Sequence, residues 1–234
     1  MNAATNQRGP DHKPKHPEPQ ANVTKIVKQL PEPRSAWQYF PGQRRVRRAP
    51  LIAYDNNARY SDGMMTSDTV DAFNGSPDRY EWKLIGKKEL FIPYNSFKIA
   101  DRDIEYSDIL QTGHVNPDLI RFEKHRVWVV EANLKSDARH IYSKRRYYFD
   151  EDSWNIVLGE LYDSRGELWR NYQAHTIPYY DKEFTWDAMA VAYDLISGRY
   201  FTNGMMNEEK RPLITGKRAN KSAYTPSGLR RWAK

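Results

Sequence analysis

Four arginines surround a single valine in the segment 44–48, and no other part of the sequence points as directly to binding. The aromatic residues Trp37 and Tyr39 and the turn-forming pair Pro41 and Gly42 precede this segment. A guanidinium group binds phosphate or carboxylate through two parallel N–H donors, and aromatic rings beside it can stack on nucleic-acid bases. The candidate binding residues are Arg44, Arg45, Arg47 and Arg48.

A strand over this segment would carry charge on both faces, because successive side chains point in opposite directions. Arg44, Val46 and Arg48 would share one face, and Arg45 and Arg47 the other. Such a strand cannot be buried in the middle of a sheet, so we expect an early strand at the charged edge of a curved sheet. Three roles remain open: protection against edge-to-edge pairing, a site for anionic headgroups or a partner's acidic surface, and a nucleic-acid site.

The remaining titratable residues show no pattern typical of catalysis or metal binding. His114 and Asp118 flank an Asn-Pro pair, which is typical of a turn. His125, His140 and His175 lie in separate predicted strands without the spacing of metal ligands, and the acidic pairs fall in predicted hairpin turns. The sequence lacks the G-x-S-x-G, H-E-x-x-H and G-x-x-x-x-G-K-[ST] motifs. We therefore predict a non-enzymatic protein with no catalytic residue, no cofactor and no metal site.

The positive charge is concentrated at the two ends of the chain. The formal net charge is +7, and residues 1–50 alone hold ten basic and three acidic residues. The segment 216–234 holds six basic residues and no acid, so the intervening part is mildly acidic. This distribution weakens a general nucleic-acid interpretation, which stays the alternative function through the basic N- and C-terminal segments.

The sequence also limits the compartment and the relation to membranes. It contains no cysteine, which excludes disulfides and thiolate metal sites. No stretch approaches the ~20 apolar residues that a membrane-spanning helix needs. The N-terminus is rich in Pro and Lys and has no apolar core typical of a signal peptide. If the chain is complete as given, these features predict a cytoplasmic protein.

Short β-runs with hairpin-sized gaps dominate the sequence beyond residue 80. Alternating apolar residues predict strands. In one predicted strand, the side chains of residues 128, 130, 132 and 134 share a face. In a later one, the side chains of residues 154, 156, 158 and 162 share a side. The gaps are too short for crossover helices. We expect a mainly β (α+β) fold: a curved antiparallel meander or incomplete half-barrel with a few short helices.

The organisation along the chain follows from the same signals. We expect a Pro- and Lys-rich, extended tail at 1–35, a half-barrel domain at 36–212 and a basic tail at 213–234. That last tail should end in a short helix over 224–232, with Thr225 as N-cap and Pro226 at the first helical position. The segment 81–93 should be a strand pair or a strand bent at Gly86.

Several long motifs are similar to those of one known family. The motifs are W-x-Y-x-P-G-x-R-R-V-R-R-A-P at 37–50, D-G at 62–63, F-N-G at 73–75, P-D-R-Y-x-W-K-L-x-G-K-K-E at 77–89, H-x-N-P-D-L at 114–119, H-R-V-W-V-V-E-A at 125–132 and Y-x-D-E-D-S-W at 148–154. They resemble the C-terminal half of an uncharacterised bacterial periplasmic family, domain of unknown function 1329. That family is similar to LolA/LolB-type outer-membrane lipoprotein-sorting proteins. The resemblance covers about 36–206, and the first 35 residues do not look like the family.

The resemblance implies a LolA/LolB-like half-barrel in the periplasm, with an apolar cavity for the acyl chains of a lipid or lipoprotein. It also implies a link to membrane export systems. With the one-sided aromatic strands, it predicts a lipid carrier whose cavity lies on the concave face of the sheet. Ordinary sheet core is an equally good interpretation for each wall residue. The predicted wall residues are Trp128, Val130, Ala132, Tyr147, Phe149, Trp154, Ile156, Leu158 and Val191.

Overall fold

The computed structural model describes residues 22–25, 35–40, 43–48, 54–58, 60–209, 222 and 225–232. Within these residues the chain forms two antiparallel sheets and a few short helices. The smaller sheet has the order β1-β2-β3 and consists of β1 (Asn22–Lys25), β2 (Ser35–Phe40) and β3 (Arg45–Arg48). The arginine-rich strand β3 is therefore at an edge, but the edge is that of a separate small sheet, and the prediction that it borders the large curved sheet is wrong.

The larger sheet is a seven-stranded meander in which each strand pairs with the next one along the chain, in the order β10-β9-β8-β7-β6-β5-β4. The two outer strands β10 and β4 do not pair with each other, so the sheet is open. This confirms the predicted antiparallel meander. Its strands are β4 (Tyr80–Pro93), β5 (Phe122–Leu134), β6 (Lys144–Asp150), β7 (Ile156–Tyr162), β8 (Leu168–Tyr179), β9 (Phe184–Asp194) and β10 (Arg199–Asn203).

Four register shifts interrupt the strand pairing of the large sheet, and two of them set the direction of side chains that matter for the site. The 14-residue strand β4 shifts register between Leu84 and Gly86, as predicted for a strand bent at this glycine. Gly86 has a φ of +136°, which residues with a Cβ rarely adopt. A second shift places Leu158 opposite Tyr148 and Ile156 opposite Phe149. Ile156 and Leu158 therefore point to opposite faces, and the prediction that they share a side is wrong.

The helices are short and lie outside the sheets. The α-helices are α1 (Tyr106–Ile109) and α2 (Pro226–Trp232), and 3₁₀ helices span Ser67–Thr69, Pro77–Arg79, Phe97–Ala100 and Pro117–Leu119. Thr225 caps α2 as predicted, because the Gly228 amide donates to its Oγ1 at 3.1 Å. Over the described residues, no helix is both long and apolar enough to cross a membrane.

Each face of the large sheet is covered by a different connecting segment. Residues directly opposite on neighbouring strands share a face, so the row Val130, Tyr147, Gly159 and Tyr172 defines one face, here called the aromatic face. Part of it is buried under the segment 60–73. The other face, here called the opposite face, is packed over β8–β10 by the segment 97–115. The buried residues of that packing are Ile99, Ile109, Val115, Ile177, Ala188, Met189, Val191 and Tyr200.

His175 is fully buried on β8, and neither of its ring nitrogens has a hydrogen-bond partner among the described residues. Burial lowers its pKa to about 4. The unfolded chain takes up this proton near pH 6.5, so the contribution of neutral His175 to stability is present above that pH. It is lost as the pH falls from about 6.5 to about 4.

We expect His175→Leu to abolish this part of the pH dependence of unfolding, because leucine has a similar volume and cannot be protonated. The free energy of unfolding of the wild type should fall by up to about 3 kcal/mol more than that of the variant between pH 7 and pH 4. Urea titrations at several pH values measure this difference. Parallel pH profiles for the two proteins would contradict the prediction.

Two described elements lie inside the predicted terminal tails. Strand β1 lies inside the segment 1–35 that the sequence assigns to an extended tail, and α2 lies inside the predicted basic tail. Residues 1–21, 26–34 and 210–221 fall outside the described residues. The boundaries at 35 and 212 therefore stay predictions.

Candidate functional site

The aromatic face is open along strands β4 to β7, where it meets the unpaired edge of the sheet. Leu84 on β4 is 59% exposed and Trp82 is 36% exposed, although both point to this face beside the apolar residues of β5. The half-buried residues that continue this surface are Trp128, Val130, Phe149 and Ile156. We call this set of six residues the apolar patch.

Aromatic rings pack together where the apolar patch meets the segment 60–73, here called the covering segment. The ring of Phe73 lies edge-on to that of Trp82 with centroids 5.0 Å apart, and Trp82 stacks on the buried Tyr147 at 6.3 Å. At the other end the Nζ of Lys87 lies 4.5 Å from the Trp128 ring centroid. The Nε1 of Trp128 is buried without a hydrogen-bond partner among the described residues. An indole N–H normally finds an acceptor when it is buried, so this donor is an unsatisfied polar group at the edge of the patch.

Charged side chains form a rim at the Trp128 end of the patch. Lys87 and Arg126 both donate hydrogen bonds to the carboxylate of Glu151. These bonds hold the pKa of Glu151 below its ordinary value, so the carboxylate is ionised at neutral pH. The rim places two cations beside an apolar surface, an arrangement that suits a molecule with an apolar chain and an anionic end.

The structure brings together six of the nine residues predicted to form the cavity wall. Trp128, Val130, Phe149 and Ile156 belong to the apolar patch. Ala132 and Tyr147 lie on the same face but are fully buried, and the Tyr147 hydroxyl donates to the carbonyl oxygen of Ala72 at 3.3 Å.

The other three predicted wall residues lie elsewhere. Trp154 is 65% exposed in the turn after β6, where its φ is +60°. Leu158 packs with the cluster around Val127 on the opposite face, and Val191 is fully buried against the segment 97–115 on that face.

The sequence did not predict the buried charged cluster beneath the covered part of the aromatic face. Arg145 on β6 is fully buried and its Nη2 donates to Oδ2 of Asp68 at 2.6 Å. His140 lies 3.0 Å from the same carboxylate oxygen. The ring of Tyr80 lies 4.7 Å from the Arg145 guanidinium carbon. This cluster fixes the covering segment to the sheet.

A second ion pair continues the row of buried charges. Arg170 on β8 donates to Asp194 on β9 at 3.3 Å and to the carbonyl oxygen of Gly63 at 2.7 Å. The signal in the sequence was an arginine at an inward position in each of the strands β6 and β8. Alternation identifies such positions, but it does not identify the carboxylate that neutralises them.

The four residues of the arginine cluster are exposed. Arg44 lies in the turn before β3 with a φ of +50°, so the prediction that it belongs to the strand is wrong. Arg45 and Arg47 lie opposite Phe40 and Gln38, while Val46 lies opposite Tyr39. Arg47 donates to Gln43 at 3.0 Å. Among the described residues, no carboxylate pairs with Arg44, Arg45 or Arg48.

His114 lies before a turn, whereas His125 lies in a cluster of possible metal ligands. The side chain of Asn116 accepts a hydrogen bond from the Asp118 amide at 3.1 Å, which confirms the predicted turn after His114. His125, by contrast, lies beside Asp150 and Asp152, and the three side chains offer ligand atoms within 4.8 Å of one another. The sequence spacing did not indicate this set, because the hairpin between β5 and β6 brings its members together.

The sequence of the chain matches the model of a protein family. The family model of DUF1329, a protein of unknown function, matches residues 17–230. The match begins well before residue 36, so the expectation that the first 35 residues lie outside the family is wrong from residue 17 onward. An uncharacterized protein of Pseudomonas aeruginosa is 53% identical over 208 residues, which are 89% of this chain and 46% of that protein. The chain thus spans about half the length of this curated relative.

Two solved structures are similar in fold to this chain. A putative outer membrane lipoprotein-sorting protein domain from Vibrio parahaemolyticus has a TM-score of 0.50 at 12% identity, covering 85% of this chain and 67% of that one. A DUF1329 family protein from Desulfovibrio piger has a TM-score of 0.49 at 12% identity, covering 87% and 68%. The likeness to the first of these and the open antiparallel sheet confirm the predicted fold, a curved antiparallel sheet like that of a lipoprotein-sorting domain. The chain belongs to the DUF1329 family.

Proposed function

We propose that this chain is a non-enzymatic lipid- or lipoprotein-binding module of the bacterial cell envelope. The observation that carries the proposal is the apolar patch: six apolar side chains share one sheet face, two of them exposed and four half-buried, and the segment 60–73 meets the patch only at its border, through Phe73. Soluble proteins seldom leave contiguous apolar surface of this kind exposed unless it binds something. The likeness in fold to a lipoprotein-sorting domain adds a class of cargo, acyl chains, and the periplasm as the place of action.

The chemistry around the patch suits an amphiphile with an anionic headgroup. Acyl methylenes would lie on Leu84, Val130 and Phe149, while Lys87 and Arg126 at the rim would face the headgroup. The aromatic rings of the patch pack beside aliphatic residues and belong to a different sheet from the arginine cluster, which does not favour the nucleic-acid alternative.

A fluorescent fatty acid tests the proposal. We expect saturable binding at micromolar probe, with displacement by unlabelled fatty acid and by lysophospholipid. Apolar burial predicts that most of the affinity persists at high salt, because salt screens only the headgroup contribution. No binding and no displacement at micromolar probe would contradict the proposal.

The exposed arginine cluster is proposed to contact anionic headgroups or an acidic partner surface. Replacing Arg44, Arg45, Arg47 and Arg48 together with Gln should weaken binding to vesicles containing phosphatidylglycerol at least tenfold at low salt, since each cation near such a surface contributes about 1 kcal/mol. Sedimentation with vesicles measures this. Vesicles of phosphatidylcholine alone are the control, and equal binding of both proteins to anionic vesicles would contradict the role.

A further inference from the structure

We propose that His125, Asp150 and Asp152 form a binding site for a divalent transition-metal cation of the Zn²⁺ type. The site lies where the end of β6 and the following turn meet β5. It uses one imidazole nitrogen and two carboxylate oxygens, a donor set that suits zinc. The proposal does not rest on the proposed lipid binding.

The spacing of the donor atoms matches a metal site. The Nδ1 of His125 lies 3.0 Å from Oδ1 of Asp150 and 3.6 Å from Oδ2 of Asp152. A tetrahedral ion with bonds of about 2.0–2.2 Å requires its ligand atoms to be about 3.3–3.6 Å apart. All three ligand atoms lie within 4.8 Å of one another, so adjustment of the side chains would admit the ion. Three protein ligands leave the fourth position for water or another small ligand.

The central carboxylate is held rigidly. Asp150 is fully buried, and its Oδ2 accepts hydrogen bonds from the Ser153 amide at 2.9 Å and the Ser153 hydroxyl at 2.6 Å. These donors leave Oδ1 directed at His125. Asp152, whose side chain is 76% exposed, supplies the third oxygen from the solvent side, where an ion can enter.

The second ring nitrogen of His125 also lies on the side of a carboxylate. A metal-bound histidine commonly donates its other ring N–H to a carboxylate. The Nε2 of His125 lies 3.8 Å from Oε2 of Glu123. Glu123 is itself positioned by Arg121 at 2.9 Å and by Asn95 at 2.7 Å. The Tyr94 ring, 4.2 Å from that of His125, restricts the orientation of the imidazole.

Metal binding would change which ring nitrogen carries the proton. Without metal, the Nδ1–H of His125 donates to Asp150. With metal on Nδ1, the proton must lie on Nε2, on the side of Glu123, whose Oε2 is 3.8 Å away and would have to move closer to accept a hydrogen bond. A purely structural His–Asp pair would need neither Asp152 on the solvent side nor a carboxylate beside Nε2.

Zinc titration by calorimetry tests the proposal on protein treated with EDTA and dialysed. We expect one equivalent of Zn²⁺ to bind, and Asp152→Asn to weaken binding at least tenfold without changing the melting temperature of the metal-free protein. Asp137→Asn, a matched change at another exposed acid, should bind as the wild type does. Co²⁺ should give the visible absorption of a tetrahedral site, lost in His125→Gln.

The N-terminal histidines provide a further control. His12→Asn combined with His16→Asn should leave the zinc affinity unchanged. The proposal is overturned if the wild type shows no saturable binding, or if Asp152→Asn binds as tightly as the wild type. It is also overturned if binding disappears when only His12 and His16 are replaced.

Discussion

Replacing Arg145 with Met should lower the free energy of unfolding by about 3–5 kcal/mol, the cost of breaking a buried ion pair by removing one partner. Arg145 and Asp68 are both buried, and their contact joins residues 77 apart in sequence. Methionine fills much of the space of arginine, so the loss comes mainly from leaving the Asp68 carboxylate uncompensated. Denaturant unfolding followed by tryptophan fluorescence measures it.

A double variant separates charge from packing. Arg145→Met combined with Asp68→Leu removes both charges, and we expect it to recover a large part of the stability lost in the single variant. Lys124→Met is the matched control, because its partner Glu89 is exposed and the pair should contribute little. A single variant less than 1 kcal/mol below the wild type would contradict the role of the buried pair.

The same pair predicts loss of stability in acid. Burial alone would raise the pKa of Asp68, but the hydrogen bond from His140 and the charge of Arg145 outweigh it and hold the pKa below its ordinary value. The stabilisation is therefore complete above the ordinary aspartate pKa of about 4 and is lost as the pH falls through the lower, folded-state value. Asp68→Asn should lack this acid-dependent loss.

Leu84→Glu combined with Val130→Glu should weaken fatty-acid binding at least tenfold. The two residues lie directly opposite each other on β4 and β5, at the centre of the apolar patch. A carboxylate there removes apolar contact and repels the anionic end of the ligand. A tenfold loss of affinity corresponds to about 1.4 kcal/mol of binding free energy. Two charges placed against an acyl chain should cost at least this much.

The control for this variant carries the same change elsewhere. Ile196→Glu alters a 65% exposed residue in the turn between β9 and β10, away from the patch, and should leave the affinity unchanged. The melting temperatures of the variants establish that each is folded. Equal affinities for the patch variant and the control would contradict the assignment of the ligand to this face.

The sequence predicted those elements whose signals are local. Hairpin turns separate runs of alternating apolar residues, so the meander of β5 to β10 could be read from the order of residues alone. The bend at Gly86 and the cap at Thr225 depend on the properties of single residues, and both predictions are confirmed.

The wrong and missing predictions concern side-chain positions that are set by packing between residues far apart in sequence. The register shift in β7 adds one residue to the strand, and this reverses the direction of Leu158 relative to Ile156. No local signal shows that Asp68, in a short 3₁₀ helix, meets Arg145 on β6. The grouping of His125 with Asp150 depends in the same way on the pairing of β5 with β6.

Photo-crosslinking with a fatty acid that carries a diazirine in its chain tests the central claim most directly. After irradiation and proteolysis, mass spectrometry locates the modified residues. We expect adducts concentrated on peptides that contain Leu84, Trp128, Val130 and Phe149, and their suppression by excess unlabelled fatty acid. Adducts confined to other surfaces, or adducts that unlabelled fatty acid does not suppress, would contradict a lipid-binding role for the apolar patch.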